Sequence, residues 1–170
     1  MKTFLNAKSL LFALALLSGL MSCQSDDEPS TSNTITLDGD PFKIQSATLV
    51  GVSLDGEGHA GINFINTDGT LTKSLGIDIE YTANESVSGS YSFPQSGTDK
   101  YLDDWMTNYT VMTQSSGGTT SESTNLQEGT VTIKDNGDSN YTVTIDLTMV
   151  DGKVFKGTYQ GKMQAMFNNG

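Results

Sequence analysis

The stretch that decides the fold is Tyr141-Thr142-Val143-Thr144-Ile145-Asp146-Leu147-Thr148-Met149, in which apolar and polar residues alternate without a break. Successive side chains of a β-strand point to opposite faces, so this alternation predicts one buried face and one wetted face. Asn136-Gly137 and Asp151-Gly152 bound the stretch, and such dipeptides tolerate the positive φ of tight hairpin turns. The sequence therefore predicts an antiparallel strand between two hairpins.

The same alternation extends along the chain in both directions. Residues 71–82 place Leu75, Ile77, Ile79 and Tyr81 on one face, whereas no stretch of helical length has a 3.6-residue period. We therefore predict an all-β fold, an antiparallel meander of about eight or nine strands. These strands are expected near residues 34–37, 42–54, 58–66, 70–82, 87–93, 106–114, 127–135, 139–150 and 153–167. The last of them groups Phe155, Tyr159, Met163 and Phe167 on one face.

Such a meander can close, fully or partly, into a barrel of the lipocalin-like kind, or it can fold as a two-sheet β-sandwich. Both architectures bury one face of each strand, so periodicity does not choose between them. Gly89, Gly157 and Gly161 fall on the apolar face of their strands. Strand glycines usually mark a bend or a close backbone approach, and the alternative is that they leave room for a ligand inside a barrel.

A weak internal repeat relates residues 60–93 to residues 128–161. When the chain is aligned on itself, Asp68-Gly69 falls on Asn136-Gly137, and the Gly-x-Tyr strand at Gly89 falls on the one at Gly157. Generic hairpin statistics also produce such matches, so duplication and coincidence both stay open. In either case the two units are expected to lie in equivalent positions of the fold.

The N-terminus has the pattern of an export signal. Lys2 and Lys8 precede an apolar run at 10–17, which is too short to span a bilayer but fits the core of a secretory signal. Leu20-Met21-Ser22-Cys23 resembles the lipobox of bacterial lipoproteins. That resemblance implies that residues 1–22 are removed and that Cys23, the chain's one cysteine, carries the lipid that anchors the protein to a membrane.

An acidic cluster, Asp26-Asp27-Glu28, follows the cysteine directly. It resembles the export signal of surface-displayed lipoproteins in Bacteroidota, which implies a location on the outer membrane, facing outward from the cell. The alternative interpretation is a solvated spacer, which this composition also favours. We therefore expect a flexible tether over residues 23–33 and a single β domain over residues 34–170.

Composition restricts the partners of this domain. The formal net charge of the 170-residue chain is −11, and the sequence contains no arginine. Nucleic acids attract basic proteins, so we expect no nucleic-acid partner. The absence of arginine also argues against the bidentate recognition of phosphate or carboxylate ligands.

The sequence has few of the groups that catalysis needs. His59 is the single histidine and Cys23 is assigned to lipid, so no hydrolase triad or zinc site can be built. The carboxylates Asp78 and Asp146 alternate out of apolar strands and are expected to face solvent. Turns at 38–40 and 135–140 contain oxygen ligands without an EF-hand pattern. We predict a non-enzymatic protein without a metal or cofactor.

The segment 95–114 is the least strand-like and the richest in aromatic residues. Tyr101, Trp105 and Tyr109 are spaced by four, which would align them on a short helix opened by Ser96 or Thr98. Such a stripe is either core or a platform that stacks on sugar rings, with carboxylates such as Asp104 supplying hydrogen bonds. The residues that follow, 115–124, are polar and glycine-rich and read as a flexible loop.

The sequence thus favours a surface-anchored lipoprotein that binds a glycan or a small apolar ligand. The candidate ligand-binding residues are Tyr101, Asp104, Trp105 and Tyr109. The alternative is a structural or adhesion protein without a small-molecule site. A ligand-sized internal cavity would favour the binding protein, and a solid core with an exposed apolar edge would favour the structural one.

Overall fold

The computed structural model describes residues 31–54, 57–82, 85–96 and 100–169 and is all-β, as the sequence predicts. The N-terminal segment 1–30 and the predicted turn at 55–56 lie outside the described residues. Across the described ranges, no helix is long and apolar enough to cross a membrane. The strands found there are β1 (Ser32–Asn33), β2 (Thr36–Leu37), β3 (Asp40–Pro41), β4 (Ser46–Leu54), β5 (Glu57–Asp68), β6 (Leu71–Thr82), β7 (Gly89–Phe93), β8 (Tyr101–Leu102), β9 (Asn108–Ser115), β10 (Gly118–Asp135), β11 (Asn140–Met149), β12 (Val154–Lys162) and β13 (Gln164–Asn169).

All of these strands belong to one large mixed sheet, in the order β13-β4-β5-β6-β8-β7-β10-β11-β12-β2-β3. Off this path, β9 pairs with both β6 and β10, and β1 pairs with β12. Most neighbours are antiparallel, as hairpins require, whereas β13 is parallel to β4 and β7 is parallel to β8. The gap between β6 and β10 is therefore bridged by β9 at one end and by β8 with β7 at the other.

The sheet curls into a partial ring. The chain leaves β12 through Met163 and enters β13, which pairs with β4 from Gln164↔Thr48 to Asn169↔Ser53. The end of the chain thereby returns to its first long strand. This arrangement is consistent with either a barrel or a sandwich.

The inner face of the sheet is packed with apolar side chains. All five apolar residues of the predicted strand at 141–149 are buried, as the alternation requires. Aromatic rings meet inside: the Phe155 centroid lies 5.4 Å from that of Phe42 and 5.1 Å from that of Tyr109. Phe64 and Tyr159 form a further pair at 5.2 Å. These side chains occupy the space in which a lipocalin-like barrel would hold its ligand.

Gly157 has the structural role that the sequence favours for strand glycines. Its φ is +137°, and a Cβ there would overlap the backbone carbonyl of Thr34 and lie 2.8 Å from the Cα of Ile35. The segment before β2 therefore crosses β12 at contact distance, and only glycine leaves room for it.

The two repeat units agree in detail but not in pairing. Gly89 and Gly157 both have positive φ, and Tyr91 and Tyr159 are both buried. However, β11 pairs directly with β12, whereas β8 lies between β6 and β7. The units therefore do not lie in fully equivalent positions.

Three local expectations were wrong. The segment around Trp105 forms β8, a turn and β9 rather than a helix, because Asp103 binds the backbone of the turn. The segment 115–124 is not a flexible loop: Ser115 ends β9, residues 116–117 form a tight turn, and β10 begins at Gly118. In this hairpin the Ser123 hydroxyl of β10 hydrogen-bonds with that of Thr110 in β9. Phe167 is exposed rather than on the buried face with Phe155, Tyr159 and Met163, because the chain changes its strand partner after Met163.

Candidate functional site

A short turn, Asp103–Thr107, connects β8 to β9 and is called the Trp105 turn below. One carboxylate oxygen of Asp103 accepts hydrogen bonds from the backbone N–H groups of Trp105 and Met106, both at 2.8 Å. The N–H of Thr107 donates to the Asp103 carbonyl at 2.9 Å. Aspartate forms such local turns readily because its short side chain reaches the backbone two and three residues ahead.

The turn is fixed to the strands on both sides. The N–H of Asp103 donates to the Asp78 carbonyl of β6 at 3.1 Å, and the Asp78 N–H donates to the Thr107 hydroxyl at 3.0 Å. On the opposite side, the N–H of Leu126 in β10 donates to the Thr107 carbonyl at 2.9 Å. Thr107 is 0% exposed. The turn thus completes the sheet between β6 and β10.

The tip of the turn stands on the outer face of the sheet. Asn108 and Asn125 are Cα partners in β9 and β10, and the residue next to each in sequence, Tyr109 or Leu126, is buried. The side-chain amide of Asn108 donates to the Met106 carbonyl at 2.8 Å, and that of Asn125 donates to the Trp105 carbonyl at 3.3 Å. Outward-facing amides therefore hold the backbone of the tip.

Trp105, the single tryptophan of the chain, is 78% exposed. Met106 beside it is also exposed. Tryptophan is buried on average, so an indole ring held out from a well-anchored turn is an informative exception. The turn thus presents an aromatic side chain to solvent from an anchored backbone.

The outer surface of the sheet beside the turn is polar and includes two glycines, so few side chains project from it; we call this surface the polar wall. Four of its residues are successive Cα partners across β5, β6, β9 and β10: Asn63, Gly76, Asn108 and Asn125. The neighbouring Cα pair of β5 and β6, Gly61 and Asp78, completes it. Gly61 pairs with Asp78, and a Cβ at Gly61 would meet only the Asp78 carboxylate, at 3.9 Å. A Cβ at Gly76 would lie 3.3 Å from Asn63 Oδ1. Without glycine side chains, amide and carboxylate oxygens lie near the floor.

Burial is the largest of the effects that raise the pKa of Asp78, to about 6, and the nearby Asp103 carboxylate raises it further while His59 opposes both. The pKa of Glu80 is also raised, mainly by burial. Glu80 accepts a hydrogen bond from the Tyr101 hydroxyl, and its Oε1 lies 3.7 Å from His59 Nδ1. A row of ionisable groups therefore borders the polar wall.

Two further acidic segments function as turns. Asp38 accepts a hydrogen bond from the Val154 N–H at 2.8 Å, and Asp135 accepts one from the Gly137 N–H at 2.8 Å. Within the described ranges, no group of three His, Cys, Asp or Glu residues could hold a metal ion.

The predicted ligand-binding residues are separated by the fold. Trp105 and Asp104 are exposed on the turn, and Tyr101 is partly buried with its hydroxyl bonded to Glu80. Tyr109, at 3% exposed, packs against Phe42 and Phe155 and cannot contribute to an exposed platform. The strand register that brings the polar wall together leaves no local signal in the sequence.

Three clefts in the described part of the chain are open depressions at the surface. Their volumes are about 370, 350 and 250 Å³. None of them is lined by a residue of the Trp105 turn. No protein-family model, curated protein or solved structure matches this chain.

Proposed function

We propose that this protein is a non-enzymatic, lipid-anchored surface protein that binds carbohydrate at the Trp105 turn. The observation that supports this function is the Trp105 ring, 78% exposed on a turn fixed from both sides. One face of a sugar ring is lined by C–H groups, which an indole face can cover. Because the backbone of the turn is already fixed, binding need not order that backbone, which reduces the conformational entropy lost.

The surface beside the ring favours a glycan over an apolar ligand. Carbohydrate hydroxyls need hydrogen-bonding partners, and Asn63 and Asp78 offer an amide and a carboxylate on the polar wall. An apolar ligand would need an apolar cavity, whereas aromatic side chains such as Phe64 and Phe155 fill the inside of the sheet.

The anchoring part of the proposal rests on the lipobox at Cys23 and on the acidic residues that follow it. A Cys23→Ser variant should incorporate no labelled fatty acid, because no other cysteine is present. Replacing Asp26, Asp27 and Glu28 with Ala should retain the lipid and reduce cleavage by protease added to intact cells. Normal acylation of Cys23→Ser would overturn the lipid anchor, and unchanged cleavage would make the acidic cluster a spacer only.

The binding part is tested by affinity electrophoresis through gels that contain one polysaccharide each. The unaltered protein should be retarded by at least one polysaccharide, and Trp105→Ala should migrate as in an empty gel. Val154→Ala is the matched control, because Val154 is also exposed and apolar but lies on β12, away from the turn. Equal retardation of Trp105→Ala and the unaltered protein would overturn the assignment of the site.

A structural or adhesion role is the second candidate, favoured by an unpaired strand edge. β10 pairs with β9 over Gly118–Asn125, but its pairing with β11 begins only at Leu126. An open edge can accept a strand from another protein. If this role is the correct one, Ser121→Pro should abolish cell attachment while Trp105→Ala has no effect.

A further inference from the structure

The Trp105 turn lies midway along the outer face of the sheet, beside the polar wall. It is attached to β6 at Asp78, within a strand of 12 residues, and to β10 at Leu126, within a strand of 18 residues. At about 3.3 Å per residue, the outer face continues beyond the polar wall and extends roughly 20 Å from Asp78 to the far end of β6 at Leu71. A ligand on this surface can therefore continue past the tryptophan.

Among the described residues, the surface beside the turn is low and open. Gly61 and Gly76 contribute no side chains to its floor, and none of the three clefts reported above is lined by a residue of the Trp105 turn. A protein that recognises the end of a glycan, or a single sugar, needs a concave pocket that buries most of the ligand. An open wall gains contact area only when the ligand is long.

The charges around the turn restrict the ligand further. Asp78, Asp103 and Asp104 lie at or beside the turn, and the sequence contains no arginine. The lysines with resolved ion pairs have partners elsewhere: Lys100 with Glu85, Lys153 with Asp151 and Lys156 with Asp146. Ligand carboxylates or sulfates would be repelled, whereas neutral hydroxyls can donate to the carboxylates.

From this geometry we infer that the site binds an internal stretch of a long, uncharged polysaccharide, and neither a glycan end nor an anionic glycan. The inference rests on the proposed carbohydrate-binding function. It adds three properties of the ligand: its length, its charge, and the part of the polysaccharide that is bound, which is internal rather than terminal.

The test uses the purified protein as the cell processes it and four uncharged polysaccharides, β-1,4-xylan, β-1,3-glucan, α-mannan and amylose, with polygalacturonate as the anionic counterpart. Oligosaccharides of one to eight sugars are then prepared from the uncharged polymer that binds, and their affinities are measured by titration calorimetry. Affinity should rise at least about tenfold between two and six sugars and then level off, as contact area accumulates. Reduction of the terminal sugar of the hexamer should change the affinity less than about twofold.

A variant of the floor makes the test specific for the wall. Gly61→Val adds an outward side chain whose Cβ would meet only Asp78, at 3.9 Å, so the fold should tolerate it. It should weaken the hexamer at least about tenfold, towards the affinity of the dimer, without lowering the melting temperature. The control is Thr158→Val, because Thr158 lies on β12, away from the turn.

The outcomes separate this inference from the function on which it rests. Full affinity for a single sugar, strong weakening by reduction of the chain end, or Trp105-dependent binding of polygalacturonate would overturn the inference and leave carbohydrate binding standing. An unaltered hexamer affinity in Gly61→Val would also overturn the use of the wall. If none of the five polymers binds, both the inference and the proposed function are overturned.

Discussion

At the scale of single residues, the exposure of Trp105 and the burial of Phe155 predict opposite consequences of truncation. Trp105→Ala removes a ring that contacts little of the protein, so the free energy of unfolding should change by less than about 0.5 kcal/mol. Phe155→Ala empties a site between Phe42 and Tyr109 and should cost about 3 to 5 kcal/mol. Denaturant titrations of both variants provide the measurement. A loss of several kcal/mol in Trp105→Ala would mean that the ring is core.

The raised pKa of Asp78 predicts how stability depends on pH. An acid whose pKa is higher in the folded state than in the unfolded state binds more protons when folded. Its stabilising contribution is therefore complete below the ordinary pKa of 3.8 and is lost as the pH rises through about 6. At about 1.4 kcal/mol per unit of pKa difference, and allowing for partial exposure, the loss is roughly 1 to 3 kcal/mol.

The variant Asp78→Asn tests this dependence because it removes the charge and retains the shape. It should unfold at higher denaturant concentration than the unaltered protein at pH 8, and the two proteins should be similar at pH 4. Asp146→Asn is the control, because Asp146 is an exposed carboxylate on β11, away from the turn. Parallel stability curves for Asp78→Asn and the unaltered protein between pH 4 and 8 would contradict the assigned pKa.

The sequence supported Trp105 as a site residue but wrongly grouped Tyr109 with it. A spacing of four places residues on one face of a helix. Here β8 ends at Leu102, Asp103 holds the turn that follows, and β9 begins at Asn108. In β9 the core takes Tyr109 because its neighbours, Asn108 and Thr110, face outward. Whether the segment forms a helix or a turn between two strands is decided by the hydrogen bonds of one carboxylate. The spacing of the aromatic residues gives no information about those bonds.

At the scale of elements, the hairpin of β9 and β10 makes a prediction about its two edges. Ser115 and Gly118 flank the two-residue turn, so even-numbered residues of β10 direct their N–H groups to β9 and odd-numbered residues direct theirs to the open edge. The Asn125 carbonyl accordingly accepts the Val150 N–H on the far side.

Proline should discriminate between the two edges. Thr120→Pro removes a ladder hydrogen bond and should cost about 3 kcal/mol or unfold the hairpin, whereas Ser121→Pro lies on the free edge and should cost much less. Hydrogen exchange at Val111 and Thr113 reports the state of the hairpin. Equal protection of these amides in the two variants would refute the assigned edge.

The close approach at Gly157 makes a second prediction at this scale. Gly157→Val forces a side chain into the Thr34 backbone at a φ of +137°, so it should destabilise strongly. Thr158→Val at the next position loses only a hydroxyl contact with Thr144 at 3.0 Å. Thermal melting of the two variants should therefore differ widely, and equal melting temperatures would mean that the register of β12 is wrong.

Long strands with strict alternation were predictable, and short or polar ones were not. The strand at Asn140–Met149 matches the prediction to within a residue at each end. β1, β3 and β8 have two residues each, too few to show a period. The part of β10 that pairs with β9, Gly118–Asn125, contains Thr and Ser and no large apolar residue, because the hairpin extends beyond the core.

At the scale of the whole molecule, contacts between distant residues determine both the ring and the site. The parallel pairing of β13 with β4 brings the last strand beside the first long one, and the alternation of apolar and polar residues does not show which strands become neighbours. The polar wall likewise joins Asn63, Gly76, Asn108 and Asn125 only through register. The fold class could therefore be predicted from the sequence, whereas the arrangement of the site could not.

The fluorescence of Trp105 provides an optical signal that is specific to the site. Because Trp105 is the single tryptophan, all tryptophan emission, excited at a wavelength that tyrosine does not absorb, comes from the turn between β8 and β9. No other indole obscures its response to solvent or ligand, and the unmodified chain can be used.

The central claim, that the Trp105 turn binds carbohydrate, is tested most directly by titrating this emission with the polysaccharide that retards the protein. The free protein should emit at the long wavelength of an exposed indole and be quenched readily by acrylamide. The polysaccharide should shift the emission to shorter wavelength in a saturable way and protect the ring from the quencher. Unchanged emission and quenching, measured when calorimetry shows the polysaccharide to be bound, would place binding elsewhere and contradict the claim.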